Sequence, residues 1–75
     1  MSGAASYLAA LGAAVRRLRE AKGLSQEAFA FEVELDRTYV SGIERGRRNP
    51  TVATLLRLTK VLGITPSALL RVTEK

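Results

Sequence analysis

Between Ser25 and Asn49 the chain gathers side chains suited to an anionic, hydrogen-bonding partner. A short stretch opening at Asp36 carries Thr38, Ser41, Gly42 and Arg45 on one side, with Arg37 and Tyr39 flanking them. The basic run Arg45-Gly46-Arg47-Arg48-Asn49 follows directly behind. Those side chains are small or hydrogen-bonding, so a helix built from them could approach a nucleic-acid groove closely and read it. Gly42 admits two explanations: a simple weakening of the helix, about 1 kcal/mol against alanine, or a close approach to DNA. Tyr39 could instead be a flank packed on the core. Catalytic chemistry is poorly served. The 75 residues include neither cysteine nor histidine, which removes thiolate and imidazole ligands and the usual neutral-pH acid/base group. The carboxylates are scattered. No enzyme, metal site, cofactor or small-molecule ligand is expected.

The elements that must position this face follow from spacing and caps. Ser25 can cap a helix whose inner positions are Phe29, Ala30 and Val33. Asp36 can cap the next with a charge suited to the positive end of the helix dipole, Val40 and Ile43 turning inward. Before them, Leu8, Leu11, Val15 and Leu18 share a face, so about Ser6 to Lys22 reads as a first helix stopped by Gly23. Gly46 ends the third. A fourth starts near Thr51, with Leu55, Leu58 and Leu62 as its inner stripe, and ends at Gly63. Thr65 caps a fifth, with Pro66 at its first position and Ala68, Leu69, Leu70 and Val72 along it. The expected fold class is all-α: a compact five-helix domain over 1–75, core about 6–72, with Met1 to Ala5 and Thr73-Glu74-Lys75 fraying.

Composition agrees with one small globular unit, at 47% hydrophobic and 25% charged residues. Twelve Lys and Arg against seven Asp and Glu give a formal +5, which favours a polyanionic partner. The aromatic share of 5% is too low for a base-stacking platform. The apolar start from Gly3 to Val15 is followed by its positive charges, Arg16, Arg17 and Arg19, which is the reverse of a signal peptide. It is also too short to span a bilayer, so a cytoplasmic protein without membrane contact is expected. Arg16 and Arg17 read as a solvated face. Phe31 lies off the inner stripe of its helix and is either a partner contact or a lone exposed apolar residue.

From Leu18 onward the sequence resembles the helix-turn-helix family of phage repressors and Cro-like (Xre-type) regulators. The likeness lies in Leu-Arg-Glu-Ala-Lys-Gly-Leu-Ser-Gln-Glu (18–27) and Val-Ser-Gly-Ile-Glu-Arg-Gly-Arg-Arg-Asn-Pro (40–50), and covers roughly Leu11 to Leu70. Within that family, Leu35 to Gly46 looks most like the controller proteins of restriction-modification systems, dimeric regulators of their own operon. The resemblance implies a lambda-repressor-like domain that regulates transcription by binding operator DNA as a homodimer, with a recognition helix at about 36–45. It implies base contacts from Arg37, Thr38 and Ser41, and backbone contacts from Gln26, Tyr39, Arg47, Arg48 and Asn49. It also implies an ion pair between Arg19 and Glu44. An arginine fork matches the two acceptors of a guanine edge, and threonine offers a hydroxyl and a methyl for thymine. Loop cations add affinity without choosing a sequence. RNA polymerase is a further partner such a regulator could meet. Glu34 departs from the glycine usual at the turn, so either the turn is strained or its geometry differs. A 75-residue core cannot cover every apolar residue, which points to Ile64, Ala68, Leu69 and Val72 as a dimer surface. The alternative from another class is an adaptor or antitoxin-like module that binds protein and meets DNA only incidentally.

Overall fold

The computed structural model describes residues 3–74, which form five helices: α1 Gly3–Ala21, α2 Gln26–Val33, α3 Arg37–Glu44, α4 Val52–Leu62 and α5 Pro66–Arg71. No strand occurs among the described residues. Each helix after the first begins where a short polar side chain satisfies a free first-turn amide. Ser25 Oγ accepts from Ala28 N, Asp36 Oδ1 from Thr38 N, Thr51 Oγ1 from Thr54 N, and Thr65 Oγ1 from Ala68 N, at 2.7–3.1 Å. The glycines expected as stops, Gly23, Gly46 and Gly63, all adopt positive φ.

Two terminal expectations need correction. Helix α1 starts at Gly3 rather than near Ser6. At the other end, Thr73 N donates to Leu70 O and Glu74 N to Arg71 O, so the chain is tied one turn beyond α5. Met1, Ser2 and Lys75, included in the fraying expectation, lie outside the described residues.

The stripes meet in one core. Leu11 and Val15 of α1, Phe29 and Val33 of α2, Val40 and Ile43 of α3, Leu58 and Leu62 of α4, and Leu69 of α5 are all buried. Burying a side chain of this size stabilises by about 1.5–3 kcal/mol. Helix α3 packs against both α1 and α2, while α4 and α5 close the far side. Leu69 is 1% exposed. It therefore belongs to the subunit's own core and cannot supply the dimer surface proposed for it. A six-residue helix has one inward stripe, and Leu69 occupies it.

Gly12, unremarked in the sequence, sets how near α1 comes to α3. A Cβ there would stand 2.6 Å from the Glu44 carbonyl oxygen and closer still to that of Ile43. Both neighbours are backbone and cannot swing aside. Gly12→Ala is therefore expected to lower the thermal midpoint, because overpacking of about 1–3 kcal/mol outweighs the helix-propensity gain of about 1 kcal/mol. A raised midpoint in a circular-dichroism melt would show that the helices separate freely.

Candidate nucleic-acid interface

The site is assembled from the turn between α2 and α3, the exposed side of α3 and the loop behind it. Glu34 holds the turn at φ 60° and ψ 44°, and Leu35 N reaches back to Ala30 O at 2.9 Å to close the end of α2. Of the two outcomes left open by Glu34, the left-handed geometry is kept and a non-glycine residue bears its strain, on the order of 1 kcal/mol. Its carboxylate meets Arg57 Nη2 at 3.2 Å. Both side chains are exposed, so that pair contributes little.

Helix α3 turns Val40 and Ile43 into the core and leaves Arg37 and Thr38 exposed at its N-terminus, with Ser41 half-buried beside them. The Asp36 carboxyl is held below its ordinary pKa by the Thr38 backbone N–H, then by the Thr38 hydroxyl, so the cap stays ionised into acid. Tyr39 is half-buried and packs on the core, yet its ring remains within reach of the basic loop: the Arg48 guanidinium carbon lies 5.6 Å from the ring centre. Arg45, Arg47, Arg48 and Asn49 are exposed. Gly42 is not: it is buried, and the nearest atoms to a Cβ placed there belong to Arg48. The bare helix surface expected at Gly42 is thus already covered by the protein's own side chain.

Behind α3, the Arg19–Glu44 pair is present and bidentate. Arg19 Nε donates to Glu44 Oε2 at 2.6 Å and Nη2 to Oε1 at 3.1 Å, with the side chains 8% and 2% exposed. Hydrogen bonding to Glu44 raises the Arg19 pKa against the opposing effect of burial. Two further members escaped the sequence reading. Arg19 Nη1 donates to Leu24 O at 2.7 Å, and Gln26 Nε2 donates to Glu44 Oε1 at 3.0 Å. Gln26, expected to face a phosphate, thus spends one amide hydrogen on Glu44 and keeps the second available.

The residues expected to form a dimer surface are divided. Ala68 and Val72 are exposed, Ile64 is half-buried against the core, and Leu69 is inside. Exposed apolar side chains that the sequence reading left out include Val52 and Leu56 on α4 and Tyr7 on α1, and Leu70, placed on α5 but not on the dimer surface, is exposed as well. Val52 and Leu56 stand four apart, so their shared face, off the inner stripe of α4, was a signal available in the sequence. Phe31 is 84% exposed. No helix among the described residues is long and apolar enough to cross a membrane.

Two short helices at a fixed angle, with the second buried at its back and polar at its front, define a helix-turn-helix protein. The chain belongs to that family of transcriptional regulators: the family model described as helix-turn-helix matches residues 15–69. Within the family it is similar to restriction-modification controller proteins. It is 47% identical over 60 residues to the control protein C.BamHI of Bacillus amyloliquefaciens, covering 79% of this chain and 74% of that one. Its structure resembles controller protein C.AhdI from Aeromonas hydrophila, at TM-score 0.80 and 50% identity over 83% of this chain and 94% of that chain. It also resembles the C.Esp1396I tetramer in complex with its natural 35 base-pair operator, at TM-score 0.77 and 34% identity over 89% of this chain and 88% of that chain.

The buried pair makes a stability test possible without DNA. Glu44→Ala leaves a buried guanidinium without its carboxylate and is expected to lose about 3–5 kcal/mol in denaturant unfolding, whereas Glu44→Gln keeps an acceptor and loses less. An unchanged midpoint for the alanine variant would show that the pair does not hold the fold.

Proposed function

We propose that the chain, acting as one domain, is a sequence-specific regulator of restriction-modification controller type. It binds operator duplex DNA in the cytoplasm as a homodimer and works by binding rather than by catalysis. The observation that carries this reading is the exposure of Arg37 and Thr38 at the leading end of a helix whose opposite side is locked into the core. In it, α3 enters the major groove; Arg37, Thr38 and Ser41 meet base edges; Gln26, Tyr39, Arg47, Arg48 and Asn49 meet the backbone. The similarity to C.Esp1396I, a tetramer on its own operator, supports both the ligand and the self-association. RNA polymerase is a further partner at the promoter.

The second copy would cover apolar side chains that one subunit leaves bare: Val52 and Leu56 of α4 and Ala68 and Val72 of the α5 end, with Ile64 at their margin. Two subunits then address half-sites about one helical turn, roughly 34 Å, apart.

Arg37→Ala should relax preference at one base position and lose about 1–3 kcal/mol on the cognate duplex, while Arg47→Ala should weaken all duplexes alike and lower the salt dependence by about one phosphate contact. Fluorescence anisotropy on operator and random duplexes, the operator taken from a random-pool selection, separates the two; equal losses on both duplexes for both variants would defeat the assignment. Light scattering at micromolar concentration should find a dimer. Monomer alone, with and without DNA, would refute it.

A further inference from the structure

An eight-residue helix has little room for a glycine in its interior, and Gly42 stands in the middle of α3. Its surroundings explain why a side chain is absent. A Cβ at position 42 would lie 2.5 Å from Arg48 Cγ, 3.5 Å from Nε and 3.6 Å from Cδ, so the stem of Arg48 lies where the missing methyl would be. The other end of the same side chain sits over the Tyr39 ring at 5.6 Å. That distance suits a guanidinium held by the ring's electron-rich face. The ring itself is anchored, because Tyr39 packs on the core. The loop leaves the helix at a fixed place, since Arg47 N donates to Gly42 O at 2.8 Å. A notch, a platform and a tether thus act on one arginine.

We infer that Gly42 and Tyr39 form a seat that orients Arg48 beside α3 before DNA arrives, making Gly42 a positioning residue and Arg48 a preset contact rather than a flexible loop cation. The inference rests on the proposed DNA reading and deepens it. An arginine free in solution must give up rotamer freedom when it contacts DNA; a seated one has already done so, and the contact is correspondingly tighter. It also gives Gly42 a different purpose from close approach of the helix to DNA. A methyl at position 42 collides with Arg48 in the free protein, whereas under close approach it would collide only with bound DNA.

Nuclear magnetic resonance of the free protein reads the seat directly. The Arg48 side-chain resonances should be displaced by the Tyr39 ring current, should stay so in Tyr39→Phe, and should move toward random-coil positions in Tyr39→Leu and Gly42→Ala. In operator binding, Gly42→Ala should weaken affinity about two- to tenfold without a lower thermal midpoint, because alanine favours the helix. In an Arg48→Ala background the same change should alter affinity by less than about twofold. Arg48 resonances unmoved by Gly42→Ala would overturn the seat, and so would a loss that persists in full without Arg48. If the wild-type protein bound no duplex at all, the proposed function would fail, while the free-protein spectra would still decide the seat.

Discussion

The buried pair between Arg19 and Glu44 is the constraint on which the rest of the molecule depends. Neither charge could remain in so dry a place alone, since desolvating an ion costs several kcal/mol that only a close, well-hydrogen-bonded partner offsets. The two are brought together across 25 residues, from the basic end of α1 to the last residue of α3. Leu24 O and Gln26 take up further hydrogen-bonding capacity, so the network also reaches the start of α2. Gly12 lets α1 press against the carbonyls at the end of α3. The C-terminal end of α3 is therefore held from two sides, by charge and by contact, and its N-terminal end is left to project.

That asymmetry divides α3 into a structural half and a presenting half. Glu44, Ile43 and Val40 face inward, whereas Arg37 and Thr38 face solvent at the end bearing the positive helix dipole. The turn before it has its angle set by a left-handed Glu34, a strained arrangement that the packing of Phe29, Val33 and Val40 on either side sustains. The basic loop behind α3 is likewise less free than its composition suggests. Arg48 lies back across the helix, its stem against Gly42 and its guanidinium over the Tyr39 ring, although it is exposed like Arg45 and Arg47.

Most of the architecture was legible in the chain. The caps Ser25, Asp36, Thr51 and Thr65 and the stops Gly23, Gly46 and Gly63 mark boundaries through local hydrogen bonding and backbone conformation, which depend on only a few neighbours in sequence. The inner stripes were legible for a similar reason, as helical periodicity assigns Leu58 or Val33 to a face before any partner is known. The Arg19–Glu44 pair was reached through family resemblance rather than spacing. Leu69 was misplaced because a six-residue α5 offers several apolar residues and periodicity alone cannot say which one the rest of the core has room for.

What the sequence alone determined is the set of helices, their apolar faces, the positive charge and the exposure of Arg37 and Thr38 on α3 and of Arg45 just after it, because each follows from interactions within a few residues or from simple counting. Tertiary structure alone decided that Gln26 shares Glu44, that Gly12 admits a backbone, that Leu69 belongs inside and that Gly42 lies beneath Arg48. Those contacts depend on the distance and angle between separate segments, and such distances are set only when the whole core closes.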